Sequence, residues 1–175
     1  MADREPEYEV EHRPSVPVAV GDHTFFGNTD GRIVCLDTTT AEVAWEFTTE
    51  GRVLGAPEYW KGRIYAGCAD GYVYALDATN GGLLWKFRVP AQDRRIMIFG
   101  ELMSTWPVLS GVLVHAGMVY AAAGHAPEDG AYVVALDAET GELNWEHADL
   151  ANRPDMPLMG RVPVGDMTVA ADKLW

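Results

Sequence analysis

Gly71-Tyr-Val-Tyr-Ala-Leu-Asp77-Ala-Thr-Asn-Gly81-Gly-Leu-Leu-Trp85 decides the reading of this chain. It is a strand of β-branched and aromatic residues, an Asx-type turn closed by glycine, and a second strand carrying a tryptophan. The same sentence is written twice more. Gly31-Arg-Ile-Val-Cys-Leu-Asp37 leads to Trp45, and Ala131-Tyr-Val-Val-Ala-Leu-Asp137 leads to Trp145. The aspartates Asp37, Asp77 and Asp137 are 40 and then 60 residues apart, and each precedes its tryptophan by eight positions. A fixed period of this kind sets the architecture before any single residue does.

Outward from the core motif, Pro17 to Gly27 realigns with Pro57 to Gly67 at the same offset of 40. In the third repeat Tyr120 answers to Tyr65 at an offset of 55, while Asp137 answers to Asp77 at 60, so extra residues precede and follow its second strand. Within the second repeat four strands are expected: Pro57 to Trp60, Arg63 to Gly67, Tyr72 to Asp77 and Leu83 to Arg88. Lys-Gly, Asp-Gly and Asn-Gly-Gly turns separate them. A four-stranded antiparallel sheet of about 40 residues is a propeller blade, and a lone blade leaves a face bare that only its neighbours in the ring can cover. In the turn, the aspartate side chain accepts backbone amides and the glycine takes positive φ. Asp137-Ala-Glu-Thr-Gly141 is the cleanest copy, Asp77-Ala-Thr-Asn-Gly81 keeps the chemistry, and Asp37-Thr-Thr-Thr-Ala41 lacks the glycine and is expected to be less regular. Trp45, Trp85 and Trp145 are expected on outer strands, each filling the wedge toward an adjacent blade.

These motifs resemble the PQQ-like (quinoprotein-type) repeat family, whose pattern is Ala-x-Asp-x-x-Thr-Gly-x-x-x-Trp preceded by Gly-x-Val-Tyr. The resemblance spans about residues 15 to 148. It implies an all-β fold, a propeller of four-stranded antiparallel blades like that of quinoprotein alcohol dehydrogenases, with about three and a half blades present as a partial ring. The stretch from Asp93-Arg-Arg through Trp106-Pro107 to Val119-Tyr120 is similar to segments of large bacterial propeller proteins of the planctomycete kind. Relatives in the family are often exported to the periplasm or cell surface.

The resulting organisation places a polar segment or the end of a preceding blade at 1–14, with Tyr8 to His12 as its outer strand. Blade 1 follows at 15–53, blade 2 at 54–89, an insertion at 90–105 and blade 3 at 106–150; 151–175 is a linker with the start of blade 4. A partial ring is completed either by further chain or by a second copy in a two-fold dimer that satisfies both open edges.

Composition narrows the partners. A formal net charge of −13 disfavours nucleic acid and anionic lipid, which need a basic face. The N-terminus lacks a basic and apolar leader, and no apolar run reaches the ~18 residues of a membrane span. Cys35 and Cys68 occupy different repeat positions, which argues against a disulfide.

Candidate chemistry is sparse. Arg94 and Arg95, in the insertion, gather two guanidinium groups that either clamp an anionic ligand or bridge blades by ion pairs. His125 lies in a lengthened turn with Glu128 and Asp129, either a metal-holding cluster or a solvated hairpin tip. His12, His23, His115 and His147 are scattered and receive no role. No nucleophile elbow, phosphate loop, Cys-x-x-Cys pair or zinc-protease motif is present. The function expected is therefore that of a binding or scaffold module without catalytic residues, metal or cofactor, contacting a protein, peptide or polysaccharide. Its alternative is part of an oxidoreductase of the alcohol or sugar dehydrogenase kind, to which the resemblance would bring PQQ with calcium.

Overall fold

The computed structural model describes residues 13–98, 100–148, 167–170 and 173–174. Blade 1 is a meander of β1 (Val18–Val20), β2 (His23–Gly27), β3 (Arg32–Asp37) and β4 (Val43–Thr48). Blade 2 repeats it with β5 (Glu58–Trp60), β6 (Arg63–Gly67), β7 (Tyr72–Asp77) and β8 (Leu83–Arg88). A two-stranded hairpin follows, β9 (Arg95–Ile98) and β10 (Glu101–Ser104). Blade 3 comprises β11 (Leu113–His115), β12 (Met118–Ala123), β13 (Tyr132–Asp137) and β14 (Leu143–His147). Lastly, β15 (Val169–Ala170) pairs antiparallel with β16 (Lys173–Leu174). The fold is all-β, three full antiparallel blades and a partial ring among the described residues. The strand assigned to Tyr8–His12 and the linker at 151–166 lie outside the described residues.

Register repeats as faithfully as sequence. Phe25 pairs with Cys35 and Cys35 with Trp45; Tyr65 pairs with Ala75 and Ala75 with Trp85; Tyr120 pairs with Ala135 and Ala135 with Trp145. The register shifts one residue later in all three blades, before Leu36, Leu76 and Leu136. Alternation along each strand then sends one set of side chains to each neighbour. Phe25, Ile33, Cys35 and Trp45 of blade 1 meet Ile64, Ala66, Tyr74 and Leu76 of blade 2. Tyr65, Val73 and Ala75 of blade 2 meet Val119, Ala121, Val134 and Leu136 of blade 3. Burying each large side chain of this kind stabilises by about 1.5–3 kcal/mol, so nearly all the core energy sits between blades and little within one. Cys35 and Cys68 are both buried and free, with no disulfide between them.

The turns hold one correction. Asp137 Oδ1 accepts the amides of Glu139 and Thr140 at 2.9 and 2.8 Å, and Gly141 closes the loop by donating to the Asp137 carbonyl at 2.9 Å. The turn lacking glycine was expected to be irregular, yet it is the same turn. Asp37 Oδ1 accepts Thr39 and Thr40 at 2.8 and 2.9 Å, and Ala41 donates to the Asp37 carbonyl at 2.8 Å. Ala41 is forced to φ +59° to do so, a left-handed conformation that costs an L-residue about 1 kcal/mol or more. The local hydrogen bonds, with the strands on either side, outweigh that strain.

Glycine at this turn also answers a constraint from outside its own blade. A Cβ on Gly81 would stand 2.6 Å from the Trp45 ring, and one on Gly141 would stand 2.6 Å from the Trp85 ring. The tryptophans of blades 1 and 2, Trp45 and Trp85, therefore lie against the turn of the next blade. Its indole N–H donates to the carbonyl just after that blade's aspartate, Trp45 to Ala78 at 3.0 Å and Trp85 to Ala138 at 3.3 Å.

Candidate functional site

Where the 40-residue period breaks, the chain leaves the blade plan and builds the hairpin β9–β10. Residues 95–104 carry a mostly apolar run on either side of Gly100, which turns the chain at φ +80°, enough for a two-stranded ribbon but short of a blade's four strands. Such a ribbon is marginal alone, and here ion pairs from surrounding segments hold it. Arg52, in the connector from blade 1 to blade 2, donates to Glu101 at 2.5 Å. Arg95 reaches Glu50 of that connector at 3.1 Å and Asp93 at 3.3 Å, while Arg88 of β8 meets Asp93 at 2.7 Å. Hydrogen bonds from Arg88 and from Arg52 hold the carboxyls of Asp93 and Glu101 below their ordinary range. Each exposed pair is worth only about 0.2–1 kcal/mol, but together they fix the ribbon's orientation from several sides.

Arg94 is anchored more tightly than its exposure suggests. It pairs with Asp129, donates through Nε to Thr105 Oγ1 at 3.1 Å, and lies 5.4 Å from the centre of the Trp106 ring. Trp106 in turn donates to the Asp129 carbonyl at 2.6 Å. The insertion is thereby tied to the Gly124–Gly130 turn of blade 3, which contains one 3-10 turn at Pro127–Asp129.

The three residues singled out in the sequence thus fall around one hairpin. Arg94 and Arg95 are engaged in ion pairs that join the insertion to its neighbours. His125 is exposed and lines a groove of about 140 Å³ under the hairpin with Arg52, Leu54, Ile98, Glu101 and Leu102. The Asp129 carboxylate faces Arg94, and among the described residues no three His, Cys, Asp or Glu side chains converge for a metal ion.

Sequence reasoning did not identify the hairpin's outer surface. Met97 and Leu102 are a cross-strand pair, 69% and 52% exposed, and Leu54 beside the groove is 42% exposed. A run of Ile, Met and Leu in the insertion was the available signal; falling outside the repeat, it had no aligned strand to give it a face. A second omission is Glu58 in β5, a half-buried carboxylate on one of the strands that approach one another at the inner side of the blades, where burial raises its carboxyl.

Comparison with known proteins places this geometry among others. The family model described as outer membrane protein assembly factor BamB matches residues 3–104. No curated protein matches. The quinohemoprotein alcohol dehydrogenase of Comamonas testosteroni is similar at a TM-score of 0.66 and 25% identity over 82% of this chain and 22% of that one. The computationally designed Ika4 protein is similar at 0.63 and 16% identity over 94% of this chain and 91% of that one. BamB of Moraxella catarrhalis is similar at 0.50 and 17% identity over 90% of this chain and 67% of that one. The chain spans about a fifth of the alcohol dehydrogenase it matches.

A quinone held over calcium requires convergent carboxylate and amide oxygens. The described residues do not fit that requirement. The one buried carboxylate of blade 2's turns, Asp70, already accepts the Tyr74 hydroxyl at 2.6 Å, the Tyr72 amide at 3.0 Å and the Glu50 amide at 3.3 Å. Glu58 has Tyr59 and Trp60 as its strand neighbours and no second acidic residue in β5.

Proposed function

The chain belongs to the PQQ-like β-propeller family of the outer membrane protein assembly factor BamB, and from that premise we propose that it is a binding segment of a propeller scaffold, with the hairpin β9–β10 as its contact element. The observation that carries this reading is the exposed Met97–Leu102 pair on a ribbon braced by Arg52, Arg94 and Arg95. Exposed large apolar side chains on an ordered element mark an interaction surface, and prior bracing lowers the ordering entropy lost on binding. The groove beneath, with Leu54, Ile98 and Leu102 between Arg52, Glu101 and His125, suits an apolar side chain of a protein or peptide flanked by polar contacts.

The test is the double substitution Met97→Asp/Leu102→Asp in the full protein. Partner co-purification should be lost while the far-ultraviolet spectrum and unfolding midpoint stay near those of the unsubstituted chain. Retained co-purification with both charges in place would refute the assignment.

Similarity to the quinohemoprotein alcohol dehydrogenase supports a second reading, that the whole protein oxidises an alcohol or sugar with PQQ and calcium. Visible absorbance during titration with both would separate the two, since saturable quinone binding belongs only to the oxidoreductase reading.

A further inference from the structure

Asn80-Gly81 is the one Asn-Gly step in the chain, and it stands in the turn between β7 and β8. Glycine has no Cβ to shield its amide nitrogen, so that nitrogen can reach the asparagine side-chain carbonyl carbon and close a cyclic imide. The turns of the three blades share one plan, yet this position differs, with Thr40 in blade 1, Asn80 in blade 2 and Thr140 in blade 3. The threonine hydroxyls accept the amides of Glu42 and Glu142 at 3.3 and 3.2 Å, and Asn80 Oδ1 takes the same place more tightly, accepting the Gly82 amide at 2.7 Å. Asparagine therefore replaces threonine as a turn acceptor and brings a reactive carboxamide with it.

The folded turn engages both reacting groups. Gly81 N–H donates to the Asp77 carbonyl at 2.9 Å, which holds its proton and fixes the direction of the nitrogen. The Asn80 side chain is exposed to solvent, but its oxygen is bound to Gly82, and Gly81 itself is buried. The Asp77 carboxylate pins the turn from within, accepting the Thr79 amide at 2.8 Å. Cyclisation requires the peptide unit between Asn80 and Gly81 to rotate, so these bonds must open first, and the rate follows the population of the opened turn.

We propose that Asn80 is a modification site, converted to aspartyl and isoaspartyl residues through a cyclic imide with Gly81, and that the closed β7–β8 turn gates the reaction. In the first step the Gly81 nitrogen bonds to Asn80 Cγ, and the side-chain nitrogen leaves with the Gly81 proton as ammonia. Water then adds to one of the two imide carbonyls and breaks its C–N bond, so nothing is oxidised or reduced. Opening at Cγ gives aspartate, which keeps an oxygen for the Gly82 amide. Opening at the backbone carbonyl gives isoaspartate, whose main chain runs through Cβ and is one atom longer, displacing Gly81 from its bond to Asp77. Either product adds a carboxylate to a chain already at −13. Residue 80 thus records the time the turn has spent open, and its isoaspartyl form opposes reclosure.

Ageing the full chain in mildly alkaline buffer, with and without urea, tests this. Mass spectrometry reads the turn peptide, and isoaspartyl-specific enzymatic methylation reads its isomer. The native chain should convert at least about tenfold more slowly than the denatured one. Asp77→Ala, which removes the pinning carboxylate, should speed conversion in buffer, and Asn80→Thr should abolish it in both solvents. Equal rates with and without urea would overturn the gate, as would a folded Asp77→Ala chain that converts no faster than its parent. Residue 80 left unconverted in urea would overturn the site. Should Asp77→Ala not fold, the unsubstituted chain in the two solvents decides alone.

Discussion

Replacing Gly141 with alanine probes the contact by which blade 2 packs its tryptophan on the turn of blade 3. At φ +74° any L-residue meets about 1–2 kcal/mol of backbone strain. The new Cβ would also stand 2.6 Å from the Trp85 ring, with two further ring atoms at 2.9 Å. Relief requires the indole to withdraw, weakening its bond to the Ala138 carbonyl and its packing beside Tyr65, and overpacking of this kind costs about 1–3 kcal/mol. The expected loss is therefore about 2–5 kcal/mol of unfolding free energy, a large share of a small domain's stability. Urea unfolding measures it, provided far-ultraviolet circular dichroism and tryptophan fluorescence give coincident transitions. The decisive comparison is Gly141→Ala in a Trp85→Ala background, where only the backbone strain remains. A coupling energy of at least about 1 kcal/mol between the two sites is expected from residues in direct contact. If Gly141→Ala costs the same with and without Trp85, the ring does not constrain the turn and the reasoning fails.

Ala41→Gly should act in the opposite sense, raising unfolding free energy by about 1 kcal/mol, because the residue is exposed and glycine relieves its positive φ. The carboxyls of Asp37 and Asp137 are held low by backbone amides of their own turns, that of Asp77 by Thr79, and that of Asp93 by Arg88. With folded values below unfolded ones, their contribution is full above the ordinary carboxylate range near ~4 and is lost as pH falls through the folded values, so urea midpoints should drop from about pH 4 downward. Asp137→Asn should flatten that decline. Cys35 and Cys68 are wholly buried and their thiols raised by desolvation, so a disulfide reagent at pH 8 should react with neither until denaturant is added; prompt reaction of either in the folded chain would contradict the blade packing.

The blades were legible because each is written in one piece. Strand, Asx turn, glycine and tryptophan lie within fifteen residues, and repetition at fixed offsets supplied the statistics that one copy lacks. Contacts between blades were not so written. Nothing near Gly141 in sequence points to Trp85, so local reading explains its positive φ but not the ring pressed against it. Ala41 shows the reverse. Its side chain suggested a distorted turn, whereas strands and hydrogen bonds on both sides hold the turn regular and transfer the misfit to backbone strain. The hairpin was least legible, since residues 95–104 have no counterpart in the other repeats, and the partners of Arg94 and Arg95 come from Asp129 and Glu50, far along the chain. The sequence could offer ion pairing as one of two roles for these arginines, but only the fold supplies the carboxylates that meet them.

In the proposed function the hairpin β9–β10 is where this segment meets a partner. Site-specific photo-crosslinking in the cell tests it most directly, with a photoreactive residue at Met97 compared with one at Val16, which is equally exposed at 69% but lies ahead of β1 in blade 1. A discrete protein adduct is expected from position 97 and none from position 16. Adducts of equal yield from both positions, or an adduct from position 16 alone, would contradict it.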